Sequence, residues 1–235
     1  MDDQSPLGRQ HRAVPLLQDL TPVLARITAR LATRHGRAFS TETVEQYVEE
    51  CSWLLSAKAR VGTHLPVLVE RFADQRLGAL ARGMGLSPKP VPEVLFVCTE
   101  NAGRSQLAAA LLRHRAGNEV RVLTAGSDPG LAIAQVVLRL LVEQSLNADE
   151  EFPKPLTAEI VTAADVVVTL GCGDACPVRP GRRYLDWALP DLAGLDIESA
   201  RAVRDALATR IDVLVGELLP TELPRASVAH VERRP

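Results

Sequence analysis

The stretch V-L-F-V-C-T-E-N-A-G-R-S-Q, residues 94–106, decides the fold. A short apolar run of strand composition ends in Cys98. The five residues Thr99, Glu100, Asn101, Ala102 and Gly103 follow as a loop, and Arg104 and Ser105 open a segment rich in alanine and leucine. A loop that runs into a helix N-terminus turns backbone N–H groups toward a bound anion, and the helix dipole adds partial positive charge. Arg104 can close over that anion with a two-pronged contact. The same field favours the thiolate of Cys98, the form that attacks. Ser105 is placed to donate a hydrogen bond to that sulfur, or to serve as a plain helix N-cap. A cysteine and an arginine at this spacing also occur by chance around a buried structural thiol. The strand before the pair and the helix after it set this case apart.

Around this stretch, alternating strands and helices are expected. Strands are predicted over residues 94–98, 120–124, 165–170 and 183–186, and helices over 105–115, 131–145, 157–163 and 197–219. Continuous apolar runs such as V-V-V-T-L fit a parallel sheet buried on both faces. The loop after the first strand then falls at the carboxyl edge, where such sheets bind ligands. The fold class expected is α/β, a four-stranded parallel sheet flanked by helices, preceded by an all-α three-helix bundle. In that bundle the first helix runs from Pro22, behind a Thr21 cap, to Gly36. The second starts after Ser40, with Phe39 and Val44 as a staple across the cap, and reaches about residue 59. The third covers 65–84. Residues 86–93, with three prolines, read as a stiff linker. Two domains are therefore expected, 1–90 helical and 91–235 catalytic.

At 24% charged residues and a net charge of −2, the chain offers no general case for nucleic acid or membrane binding. Four cysteines are few for a disulfide scaffold, and no signal segment or spanning apolar run is evident. A reducing cytoplasm, with cysteines used for chemistry, follows as an expectation. Cys51 falls on the apolar stripe of the second helix and is expected to be a small buried hydrophobe. Cys172 and Cys176, with three residues between them, carry no histidine at ligand spacing, so a redox pair is favoured over zinc.

These residues resemble the low-molecular-weight protein tyrosine phosphatase superfamily and, within it, the arsenate reductases. Phosphatases of that fold read R-S-P after the loop; this chain reads R-S-Q, the arsenate reductase form. The resemblance continues through T-A-G-S-D-P-G (124–130), F-P-K-P-L-T (152–157), A-D-V-V-V-T-L-G-C-G-D-A-C-P (164–177) and D-W-A-L-P-D-L-A-G (186–194). It covers residues 92–220 and nothing before Pro90.

The resemblance implies reduction of arsenate to arsenite by a thiol–disulfide relay, for arsenic detoxification, with phosphate and sulfate as competing anions. Residues 99–105 would bind the oxyanion and Cys98 would attack it. Asp191 would be the general acid, although Leu192 follows it where the family has proline. Asn101 resembles the asparagine that braces the loop, and Glu100 is expected to face solvent, since an inward carboxylate would repel an anion. Cys172 would attack first and Cys176 would resolve. No tightly bound cofactor or metal is implied. The external reductant would be thioredoxin, with mycothiol or glutathione as alternatives. Two rivals stay open: a low-molecular-weight protein tyrosine phosphatase, and a non-catalytic arsenite-binding protein. The helical bundle is left with oligomerisation, reductant docking or covering a face of the catalytic unit.

Overall fold

The computed structural model of the chain describes residues 20–56, 64–146, 151–171 and 176–219. Four strands, β1 (Glu93–Cys98), β2 (Arg121–Gly126), β3 (Val166–Thr169) and β4 (Arg183–Asp186), form one sheet in the order β2-β1-β3-β4. Every neighbouring pair is parallel, with Cys98 opposite Gly126 at the carboxyl end of β1. The expected four-stranded parallel sheet is therefore present. Its helices are α4 (Arg104–Ala116), α5 (Gln135–Glu143), α6 (Ala158–Ala163) and α7 (Ile197–Leu218). Helix α5 starts later than residue 131 because the preceding segment is used differently, as the site geometry below makes plain.

Three helices precede the sheet: α1 (Thr21–His35), α2 (Thr41–Ser56) and α3 (Leu65–Gly83). Leu20 rather than Thr21 occupies the cap of α1, and no side chain caps it, since Pro22 in the first turn already removes one orphan donor. Ser40 caps α2, its Oγ accepting from the Thr43 N–H at 3.3 Å. The expected end of α2 near residue 59 lies outside the described residues. Helix α3 stops where Gly85 takes a φ of +71°, a conformation glycine adopts at no steric cost.

The strand alternation sorts the core into two layers. Val94, Phe96 and Cys98 of β1 belong to a cluster with residues of α4, α5 and α7. Leu95 and Val97 point the other way, into a cluster with α6 and all three N-terminal helices, among them Ile27, Val48, Val69 and Phe72. The N-terminal helices thus share a core with the sheet and thicken one of its two covering layers.

The seam between α3 and α6 is polar at its centre. The Arg76 guanidinium, almost fully buried, pairs with Glu159 of α6 and, at 3.0 Å, with Glu50 of α2. It also lies over the Tyr47 and Phe72 rings, 4.7 and 5.5 Å from their centroids. Its Nη1 is 3.5 Å from the Cys51 sulfur. Burial pushes the Cys51 thiol up to about 11, more than the nearby guanidinium pulls it down, so Cys51 stays an inert thiol at neutral pH. Removing one member of a buried ion pair strands the other charge. Arg76→Met is expected to lower the unfolding free energy by about 3 kcal/mol, seen as a fall in the urea midpoint. An unchanged midpoint would show that Glu159 finds compensation elsewhere.

Candidate active site

The carboxyl end of β1 delivers Cys98 to the head of α4. Cys98 is 3% exposed, and its sulfur lies 2.9 Å from Ser105 Oγ. The Asn101 backbone N–H donates to the same sulfur at 3.2 Å. Gly103, not Ser105, holds the cap position of α4 and makes no side-chain cap, so the Ser105 hydroxyl is committed to the thiol. Asn101 takes a φ of +50° and is fully buried. Its Nδ2 donates to Ser105 Oγ at 2.9 Å, and its Oδ1 accepts from the Lys154 N–H at 3.0 Å. A non-glycine residue in this conformation persists only where its surroundings over-determine it. Asn101 has such surroundings.

The cleft above the sulfur encloses about 230 Å³ and is lined by Cys98, Thr99, Glu100, Ala102, Gly103, Arg104, Ala134, Asp191, Leu192 and Ala193. Asn101 and Ser105 differ from the other loop residues in being fully buried behind this lining, where they support the sulfur and do not face the cleft. Glu100 and Thr99 are exposed. Arg104 is 8% exposed; its Nη2 donates to Asp191 Oδ2 at 2.7 Å and its Nη1 to the Leu189 carbonyl at 2.9 Å. The Asp191 carboxylate is largely in solvent and accepts a second bond from the Ala193 N–H at 2.9 Å. Leu192, where the family pattern has proline, is buried to 1% and closes the wall beside Gly103.

Cys176 sits elsewhere. It is buried in the cluster on the opposite sheet face, with Leu95, Val97 and Val167, and so does not share the Cys98 cleft as its place after β3 suggested. Cys51, Cys98 and Cys176 are present as thiols. Cys172 lies outside the described residues.

Several supports of the cleft were not read from the sequence. Gly171 has a φ of +73°, and a Cβ there would fall 2.6 Å from Arg104 Nη1, so only glycine lets the end of β3 pass the guanidinium. The segment 127–134, expected to be helical in part, instead lies along the loop. The Asp128, Gly130 and Ala134 N–H groups donate to the carbonyls of Thr99, Glu100 and Ala102 at 2.9, 2.7 and 2.9 Å. Gln106 is fully buried and its Nε2 donates to the carbonyls of Asn101 and Phe152 at 2.9 and 3.1 Å, bonds that a proline could not make. Lys154 is buried too. Its ammonium lies over the Phe152 ring and 3.7 Å from Glu151, itself paired with Arg113. The F-P-K-P-L-T motif was a signal for this segment, but a lysine there reads as surface until its burial is seen.

Comparison with known proteins places these features in context. The profile of the low molecular weight phosphotyrosine protein phosphatase family matches residues 93–222, and that of a protein-tyrosine-phosphatase-like N-terminal domain matches 24–81. The chain is 44% identical to the thioredoxin-dependent arsenate reductase Cg_ArsC1' of Corynebacterium glutamicum. That similarity covers 85% of this chain and 98% of that one, with a TM-score of 0.78. It is 30% identical over 122 residues to arsenate reductase 1 of Bacillus cereus, covering 50% of this chain and 90% of the relative. A low molecular weight protein tyrosine phosphatase from T. tengcongensis, 20% identical, shares the fold with a TM-score of 0.50 over 55% of this chain and all of its own.

Two outcomes test the geometry. Gly171→Ala forces a strained backbone and a displaced guanidinium, so the phosphate concentration that half-protects Cys98 from iodoacetamide should rise about tenfold. Equal protection would show that Gly171 does not set the guanidinium position. Burial pushes the Lys154 ammonium down to about 8, overcoming the pull of Glu151. Below pH 8 both folded and unfolded chains hold this proton. Between pH 8 and about 10.5 only the unfolded chain does, so stability rises with pH in that window. The wild type should therefore gain about 3 kcal/mol on Lys154→Met between pH 7 and pH 10.5, read from urea unfolding at stepped pH. A constant gap would contradict a depressed lysine.

Proposed function

We infer that this chain, which belongs to the low molecular weight phosphotyrosine protein phosphatase family, is an arsenate reductase that works by a thiol–disulfide relay. One observation carries the reading. The cradle that holds the Cys98 sulfur also holds Arg104, and Arg104 is packed against Gly171, the residue directly before Cys172. Cys172 is the next residue along the chain, and a thiol one residue from the oxyanion site supports a relay that a phosphatase has no need of.

The chemistry follows from these positions. Arsenate is a tetrahedral oxyanion of phosphate shape and enters the cleft lined by Thr99, Glu100, Ala102, Gly103 and Arg104. The Arg104 fork turns from Asp191 and Leu189 to the arsenate oxygens. Asp191, no longer held by the guanidinium, then faces the bound anion. The Cys98 thiolate, eased by Ser105 and the Asn101 N–H, attacks arsenic; an arsenic–oxygen bond breaks and the oxygen leaves as water with the proton from Asp191. The Cys172 thiolate next attacks Cys98 Sγ. The sulfur–arsenic bond breaks with its electron pair staying on arsenic, so As(V) becomes As(III) and a Cys98–Cys172 disulfide forms. Cys176 then attacks the Cys172 sulfur, releasing the Cys98 thiolate and leaving a Cys172–Cys176 disulfide.

An external dithiol of the thioredoxin kind restores both thiols. The named reductant of the Corynebacterium glutamicum relative supports this choice over mycothiol, as does an internal thiol pair that a small thiol would not require. The order of Cys172 before Cys176 is supported by Gly171 in contact with Arg104 while Cys176 is packed across the sheet. The division at residue 90 matches this scheme, with 91–235 carrying the chemistry and 1–90 covering the sheet or serving self-association. A reducing cytoplasm suits a relay that starts from thiols. No nucleic acid or membrane enters the scheme, and no metal or bound cofactor is needed for its electrons.

The double variant Cys172→Ser, Cys176→Ser tests the assignment. It should hydrolyse p-nitrophenyl phosphate at the wild-type rate yet show no thioredoxin-coupled NADPH consumption with arsenate. Cys98→Ser should abolish both. Persistent multiple-turnover arsenate reduction in the double variant would move the second electron source to a small external thiol.

A further inference from the structure

The final thiol of the relay is buried, and one hydroxyl holds the chain that follows it. Tyr184 lies on β4, the edge strand, in register with Val167 of β3. Its ring packs against the cluster that contains Cys176. Its hydroxyl accepts from the Arg179 N–H at 2.7 Å and donates to the Pro177 carbonyl at 3.0 Å. Both bonds are to main chain, one and three residues beyond Cys176. With the segment pinned in this way Cys176 is 8% exposed while Val178 is 78% exposed. Thiol–disulfide exchange needs one sulfur to reach another, so a resolving thiol kept in this position cannot form a mixed disulfide with another protein or be alkylated or oxidised outside the relay.

We propose that Tyr184 is a positioning residue of the relay, a latch whose hydroxyl keeps the 177–179 segment against β4 and so keeps Cys176 in the core until the internal disulfide draws it out. The proposal rests on Cys176 being the resolving thiol, but its test reads the latch separately from that role. Both hydrogen bonds lie at the surface, so the groups they release can be hydrated once the segment leaves. The ring beneath keeps its packing, which separates the latch from the fold of the edge strand.

The test uses full-length protein carrying Cys98→Ser and Cys172→Ser, so that Cys51 and Cys176 are the remaining thiols. Iodoacetamide labelling of each is followed by mass spectrometry with and without Tyr184→Phe. The Cys176 rate should rise about tenfold, the change expected for a lost hydroxyl that makes two hydrogen bonds. Cys51, fully buried, should stay protected in both proteins. Hydrogen exchange at the Arg179 N–H should accelerate in parallel, and in the otherwise unmodified chain the single-turnover rate of internal disulfide formation with arsenate should rise while the KM for arsenate holds. An unchanged Cys176 rate overturns the latch, and so does a Cys51 rate that climbs in step with it, since that marks general loosening. If Cys176→Ser alone leaves turnover intact, the relay assignment fails, whatever the labelling shows.

Discussion

The buried Asn101 is the constraint on which the site depends. Its backbone N–H reaches the Cys98 sulfur, its amide N–H₂ reaches Ser105, its side-chain oxygen takes the Lys154 N–H, and its carbonyl takes Gln106. One residue thus joins the nucleophile, the helix that follows and the segment behind the loop. Each contact fixes a group that would otherwise be a buried polar atom without a partner, at a cost of about 1–3 kcal/mol. With the loop held rigid, the backbone donors of the proposed oxyanion site are already in position, and Arg104 is the group that would have to turn.

The two layers of the sheet divide the labour. One face carries Cys98 and the helices that build the cleft; the other carries Cys176 and the N-terminal helices. Helix α3 binds α6 through Arg76, and Lys89 of the proline-rich segment donates to the Asp165 carboxylate at 2.8 Å. The segment between the helices and the sheet is therefore fastened at both ends. The helices act as a lid on a hydrophobic face that would otherwise be open to water, and they seal the environment in which Cys51 stays unreactive.

Much of this was legible in the sequence, and the parts that were not share a cause. The V-L-F-V-C run, the glycine-containing loop and the R-S pair specify a local device, so the sheet, its parallel sense and the contact between Cys98 and Ser105 follow from neighbours along the chain. Glu100 faces solvent for the electrostatic reason given. What could not be read are partnerships between distant segments. Gly171 looks like a hinge until the Arg104 guanidinium is found against it. Residues 131–134 have helical composition, yet the segment is drawn along the loop, where the Ala102 carbonyl takes the Ala134 N–H, and α5 starts at Gln135. Lys154 and Tyr184 carry no local pattern at all; tertiary packing alone gives them meaning. The division of Cys98 and Cys176 between opposite faces is a matter of tertiary packing, which spacing does not encode.

The carboxylate on Arg104 has a bearing on selectivity. The guanidinium is satisfied by Asp191 and the Leu189 carbonyl. An incoming solute must outbid a full negative charge and a backbone dipole to win the arginine. Chloride and singly charged organic acids offer no more than Asp191 does, whereas a dianion with several oxygens offers twice the charge and both prongs at once. A dianion is therefore the better competitor for Arg104 than the monovalent anions that crowd any cell.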